Sequence, residues 1–374
     1  MDVGNDQEKD KTPDSQEMKI GILTFHACCN FGAVVQAWAL QTYLTGCGQD
    51  AVVINYEPVR ATLPWWMVAL RRRDFKRLYR DWQFRFFRRC HMCETKQVSS
   101  VSDVAALGLD AVVVGSDQVW NVEYFTKPDG RYNELYFLHG DIGKAKKLAY
   151  AASIGHGGWA DYRWKEELLA DVRDFDAISV REEVARNELA AFGVDATLVP
   201  DPTLLLERED YCRIAMTPNI GKPYVFSYLL SEYNRVRPIV ERVSLAKRTD
   251  AYLTALSSIH DSNVDFLSPG KWLGGIRGAR FVITDSFHGT ALSIIFNIPF
   301  ATVLKFDKPK MNSRVTELLE RTGLSGRIAE SAEDALRFFD EPVDWNAVNR
   351  RLEEIRKCGR IWLEERINPL SGQC

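Results

Sequence analysis

The chain has no apolar run long enough to cross a bilayer. Its longest candidates, Ala61–Leu70 and Ala291–Leu304, fall short of the ~20 residues required, and Asn297 and Pro299 interrupt the second. Cysteine is scarce: eight in 374 residues cannot make a disulfide scaffold, so a reducing cytoplasm is the expected compartment. The first seventeen residues lack an apolar segment and hold six acids against two lysines, which argues against a signal or transit peptide. Residues 1–18 therefore read as a disordered leader. A large net charge is missing as well. At −3 the chain is not expected to bind nucleic acid. The glycine-bearing loop Asn30-Phe-Gly32 matches neither the dinucleotide fingerprint nor the P-loop.

What is there is the composition of a folded protein, 46% hydrophobic and 26% charged, able to bury a sizeable core. At ~150 residues per domain the length suits two domains. Lys19–Phe25 reads as a strand, followed by the loop His26–Gly32, a helix over 33–44 and a strand over 50–56. That order opens a parallel sheet. Strands over 110–115, 147–153, 176–180 and 197–200 continue it, with helices over 166–175 and 182–192. After Asp201-Pro202 a second series begins, with strands over 224–229, 251–256, 281–284 and 300–304. A helix from about Gly289 and others over 314–322 and 345–365 complete it. The expected fold class is α/β, with two Rossmann-like domains (19–200 and 201–344) facing a cleft and a C-terminal helical segment over 345–374. In such sheets ligands bind beyond the carboxyl ends of strands.

Four loops lie at those ends: His26–Gly32, Ser116–Asn121, Arg181–Glu183 and Asp285–Thr290. The last leads into a helix, whose unpaired N–H groups and dipole suit an anion such as phosphate. Ser286 and Thr290 bring hydroxyls, Gly289 permits close backbone approach, and His288 can donate a proton or a hydrogen bond. The plainer alternative is an Asp/Ser helix cap beside a satisfied histidine. Arg181, directly after an apolar strand, is either a solvated charge or a planar fork for phosphate or carboxylate. Asp117, after Gly115-Ser116, is either a turn residue or an acid–base group.

An ordered set of short segments ties these loops together. They are Gly21-Ile-Leu-Thr-Phe-His26, Asn30-Phe-Gly-Ala-Val-Val-Gln-Ala37, Val53-Ile-Asn-Tyr56, Val114-Gly-Ser-Asp-Gln-Val-Trp-Asn121 and Tyr150-Ala-Ala-Ser-Ile-Gly155. Ser179-Val-Arg181, Val199-Pro-Asp-Pro202, Thr284-Asp-Ser-Phe-His-Gly289 and Asn312-Ser-Arg314 follow. In this order they resemble the polysaccharide pyruvyl transferase family. The resemblance implies transfer of a pyruvyl group from phosphoenolpyruvate to a sugar of a surface polysaccharide or its lipid-linked precursor, usually as a cyclic ketal. It also implies a fold like that of B-type glycosyltransferases. Arg181 and His288 fall on the family's donor-binding positions, and Ser286, Phe287, Gly289 and Arg314 complete the expected donor site. Ser286 is a departure, since many members place Arg two residues before this His; Arg314 or Lys305 is expected to compensate. His288 and Asp117 are the candidate acid and base, with His26 in reserve. His26, Asn30, Gly32 and Gln118 are expected along the acceptor side of the cleft. The route calls for no metal and no cofactor beyond the donor. Two alternatives are a B-type glycosyltransferase using a sugar nucleotide and a non-catalytic glycan-binding relative.

Two further features stand apart. Cys90-His-Met-Cys93 is a CxxC with no second pair or suitably spaced histidines, so a zinc site is not expected, and Cys28-Cys29 read as inert thiols. Residues 60–89 hold ten Arg or Lys against two Asp, a local +8 in a chain otherwise at −11. Within this arm, taken as 60–93, Phe75, Leu78, Tyr79, Trp82 and Phe86 share one helical face, after Trp65-Trp66. One expectation is peripheral contact with the inner membrane face, where a polyprenyl-linked sugar would be presented. The other is an arm folded onto its own domain with those aromatics as core.

Overall fold

Strands of a parallel sheet flanked by helices are buried on both faces, so they are written as continuous apolar runs. Two such sheets form. The computed structural model describes residues 17–58, 75–124, 126–127, 129–155, 158–219, 223–255, 267–306 and 312–368. The first sheet contains β1 (Lys19–Leu23), β2 (Asp50–Val53), β3 (Ala111–Val114), β4 (Lys146–Ala152), β5 (Ala177–Val180) and β6 (Thr197–Leu198). Its order is β2-β1-β3-β4-β5-β6, parallel throughout. The second contains β7 (Tyr224–Leu229), β8 (Asp250–Ala255), β9 (Phe281–Thr284) and β10 (Phe300–Thr302), in the parallel order β10-β9-β7-β8. The strand expected over 50–56 stops at Val53 because Val53 and Tyr56 then bridge to Glu94 and Val98.

The helices Tyr233–Lys247 and Pro269–Arg277 have no counterpart in the sequence reading. The first carries Pro238 inside it and the second Gly270, Gly274 and Gly275, residues of poor intrinsic propensity. Packing decides the second: a Cβ at Gly274 would strike the Met216 carbonyl and one at Gly275 the Phe226 ring. The short helices Val101–Ala105, Arg208–Ile214 and Ala332–Asp340 were also unforeseen.

The two halves share an apolar core. Helix α1 (Phe31–Gly46) is buried along most of its length. Its Phe31 stacks on Trp272 of the second half at 5.1 Å, and Trp38 meets Tyr211, which in turn meets Phe296. Each such large side chain contributes about 1.5–3 kcal/mol by leaving water. The helix Trp345–Ile367 then returns to the first half. Arg356 donates from Nε and Nη2 to the carbonyls of Leu204 and Leu206, Trp362 packs on Tyr150, and Tyr43 donates to Glu364.

The expected leader as far as residue 16 and the first part of the basic arm, with Trp65, Trp66 and Arg71–Arg73, lie outside the described residues; Met18, expected in the leader, is instead buried, its N–H donating to Gln49. The rest of the arm is α2 (Phe75–His91). It does not bury the expected aromatic face: Phe75, Tyr79, Trp82 and Phe86 are exposed, while Arg80, Asp81, Gln83, Phe84, Phe87 and Arg88 turn inward. Among the described residues no helix is long and apolar enough to cross a membrane.

Candidate active site

The loops after β3, β5 and β6 meet the start of the helix after β9. Beyond β3, Gly115 at φ +109 and Asp117 at φ +67 make a sharp turn; a Cβ at Gly115 would strike the Tyr150 carbonyl. Asp is among the few residues that tolerate this left-handed backbone. The turn sets Asp117 Oδ1 3.3 Å from Arg181 Nη2. Arg181 also donates from Nε to Glu182 (3.0 Å) and from Nη1 to Asp201 (2.8 Å) and the Ser116 hydroxyl (3.3 Å). Asp201 is fully enclosed. Ser116 Oγ, Thr203 N and Thr203 Oγ1 all donate to it, at 3.1, 3.0 and 2.8 Å. Glu182 accepts from Ser153 Oγ at 2.9 Å and lies 3.5 Å from Arg314 Nε.

From the second half, Ser286 caps the helix Phe287–Phe296, its Oγ accepting from Gly289 N. Asp285 accepts from the N–H groups of Leu230, Ser231 and Glu232, tying the end of β7 to the end of β9. His288 is buried, and its Nε2 stands 3.7 Å from Asp201 Oδ1, an ion-pair distance too long for a hydrogen bond. The Phe287 ring lies 5.9 Å from the guanidinium carbons of both Arg181 and Arg314. Arg181, Asp201, Phe287, Arg314 and Glu317 line one cleft, with Arg321 at its exposed mouth.

Burial pushes the Asp201 carboxyl up, but His288, Arg181 and the Thr203 N–H outweigh it and hold the group well below the usual carboxylate range. Burial likewise works against the Arg181 charge, yet Glu182, Asp117 and Asp201 more than restore it. Arg314 differs. Burial and the neighbouring Arg181 lower its pKa, only partly offset by Glu182, Asp117 and Asp201. Arg314 thus sits beside Glu182 at 3.5 Å and beside a second cation, a setting that favours an incoming anion.

A family model described as polysaccharide pyruvyl transferase matches residues 30–304, well over half of the chain. The chain belongs to the polysaccharide pyruvyl transferase family. The match is to this transferase family, engaged in polysaccharide biosynthesis, and does not favour a sugar-nucleotide glycosyltransferase. No curated protein sequence matches. Among solved structures, a UDP-N-acetylglucosamine 2-epimerase aligns at 11% identity with a TM-score of 0.54, covering 94% of this chain and 96% of its own. A Listeria monocytogenes protein assigned as the same kind of epimerase aligns at 10% identity with a TM-score of 0.51 and the same coverage. These likenesses show the fold, two Rossmann-like domains arranged as in B-type glycosyltransferases.

For this pyruvyl transferase family member the cleft gathers Arg181, Phe287 and Arg314, with Asp117 against Arg181 and His288 against Asp201 behind them. Several expectations need correction. Arg181 does not present an open fork, because three carboxylates occupy it. Ser286 is buried and its hydroxyl is spent as a helix cap. Gly289 is packed against Thr284 on β9, where a Cβ would collide. Asn30 caps α1, its Oδ1 accepting from Gly32 and Ala33 N–H. Gln118 closes a turn, its Oε1 accepting from Asn121. His26 is turned into its own domain: Nδ1 lies 3.0 Å from the Thr24 carbonyl, and burial lowers its pKa to about 4. Gly32 does meet the site, since a Cβ there would overlap the His288 ring. Arg314, and not Lys305, lines the cleft. Asp201 and Glu182 were missed as functional groups, although Asp-Pro and Arg-Glu directly after strands were the available signal.

Proposed function

We propose that this chain moves the pyruvyl group of phosphoenolpyruvate onto two hydroxyls of a glycan sugar, forming a cyclic ketal and releasing phosphate. One observation supports the reading: Arg314 lines the same cleft as Asp201, whose carboxylate lies 3.7 Å from His288 Nε2. Phosphoenolpyruvate brings a phosphate and a carboxylate. Arg314, Arg321 and the N–H groups heading the helix at Phe287 and His288 are the groups assigned to them. Arg181 is assigned to holding the carboxylates in place.

His288, as imidazolium beside the Asp201 carboxylate, gives its proton to C3 of the donor, which makes C2 electrophilic. A sugar hydroxyl adds to C2 and Asp117 takes its proton. The C2–O bond to phosphate breaks. The second hydroxyl closes the ketal and returns a proton to His288, while the proton on Asp117 leaves with the phosphate. An acid or base in such a step is worth about 10²–10⁴-fold. The acceptor is a sugar of a surface polysaccharide or of its lipid-linked precursor.

Incubating the protein with phosphoenolpyruvate and candidate lipid-linked glycans, followed by mass spectrometry, tests the reading. One added pyruvyl ketal with release of phosphate is expected. Nucleotide release from a sugar nucleotide instead would replace it with glycosyl transfer, and donor binding without turnover with a glycan-binding role. Gly32→Ala is a sharper check. Its methyl group must displace the His288 ring, so kcat is expected to fall about 10²-fold with unchanged circular dichroism. Unchanged kcat would show that the ring position is not used.

A further inference from the structure

Helix α2 is amphipathic the wrong way round for a helix packed only on its own protein. Its inward side carries Arg80 and Asp81 as an ion pair at 3.5 Å, Asp81 accepting from the Cys29 thiol, and Arg88 at 3.3 Å from Glu94. Phe84, beside Phe31, and Phe87 supply its apolar anchoring. Its outward side carries Phe75, Tyr79, Trp82 and Phe86, exposed by 67, 54, 56 and 55%. They recur at i, i+4, i+7 and i+11, one stripe along the helix. Their rings form a ladder, Tyr79 on Trp82 at 5.9 Å and Trp82 on Phe86 at 5.5 Å.

The charges beside the stripe name the occupant. The helix sequence has six Arg or Lys against one Asp, and Lys76, Arg85 and Arg89 are exposed along with the aromatics. Aromatic rings with a cationic border suit the headgroup region of an anionic bilayer, where Trp and Tyr settle at the interface and cations meet lipid phosphates. A helix of 17 residues reaches about 25 Å, so lying flat it offers the whole stripe at once. We infer that α2 docks this protein on an anionic membrane surface through Phe75, Tyr79, Trp82 and Phe86, with Lys76, Arg85 and Arg89 contacting lipid headgroups. The Cys29–Asp81 contact joins this helix to the loop that leads to Gly32 and His288, so docking sets the cleft close to the bilayer. This last point rests on the proposed pyruvyl transfer; the docking itself does not.

The test is co-sedimentation of the full chain with vesicles of phosphatidylcholine alone and with one quarter phosphatidylglycerol. Wild type should sediment at least about tenfold more with the anionic vesicles, and less as salt rises. Trp82→Ser with Phe86→Ser, and separately Lys76→Gln with Arg85→Gln and Arg89→Gln, should each lose most of that binding with unchanged circular dichroism. Equal sedimentation with neutral vesicles, or unchanged sedimentation of either variant, overturns the docking. So does a wild-type dimer in the ultracentrifuge that the serine pair abolishes without any vesicle binding, since the stripe would then pair with a second copy. With a lipid-linked acceptor in the vesicles, the serine pair should slow transfer while leaving a water-soluble acceptor unaffected. If neither acceptor is modified by wild type, the pyruvyl reading fails and the sedimentation result still decides the docking.

Discussion

His288→Gln is expected to lower kcat by about 10²–10⁴-fold while weakening donor binding by ~10-fold or less, the worth of one hydrogen bond. Glutamine fills the place of the ring and can still donate a hydrogen bond, but it cannot hand over a proton. Asp201→Asn should give a loss of similar size. The amide keeps the shape that Ser116, Thr203 and Arg181 enclose, yet it removes the carboxylate charge 3.7 Å from the His288 ring. If the two residues act as one unit, the double variant should be little worse than either single one. Steady-state kinetics and calorimetric donor titration read all three. Multiplying losses in the double variant would separate the residues, and near-normal turnover of His288→Gln would remove the histidine from proton transfer.

Arg181→Leu is expected to cost about 3–5 kcal/mol of stability, the usual penalty for stripping the partner from buried charges. The side chain is 2% exposed and Asp201 beside it 0%, so water cannot replace the lost guanidinium. Urea unfolding at pH 8 measures the loss. Its pH dependence follows from the carboxylates. In the wild type, Asp201 is held below its ordinary range. Its stabilisation is therefore complete above the unfolded pKa of ~3.9 and disappears only as pH falls through the still lower folded value. Without Arg181 the buried carboxyls move up, the folded state binds more protons than the unfolded one, and stability rises as pH falls. The gap between wild type and variant should narrow from pH 8 to pH 5. A gap that widens would mean that Arg181 does not hold these carboxylates.

Both sheets were legible because their strands are largely apolar runs; Tyr224–Leu229 and Phe281–Thr284 are found with the boundaries read from sequence. Helices stabilised against their own propensity were not, as Pro238 and the glycines of Pro269–Arg277 illustrate. The site was half legible. Strand-end positions converge in this fold class, so Asp117, Arg181 and His288 could be found as loop residues. Side-chain direction is not encoded in that pattern: His26 also follows a strand, yet it hydrogen-bonds back to Thr24 and leaves the cleft. Asp201 stood in a segment read as a domain junction. Its importance comes from complete burial beside Arg181 and His288, which no local sequence reveals.

The return of the helix Trp345–Ile367 to the first half has a consequence for biosynthesis. Tyr150, in the middle of β4, finishes its packing on Trp362, and Arg356 caps carbonyls at Leu204 and Leu206. A nascent chain emerges N-terminal end first, so the face holding Tyr43, Tyr150 and Leu205 must wait until the ribosome has released residues between 155 and 321 positions later. Until then the first half is an incomplete folding unit with an apolar surface open to chaperones, and it closes only after the second half has been made.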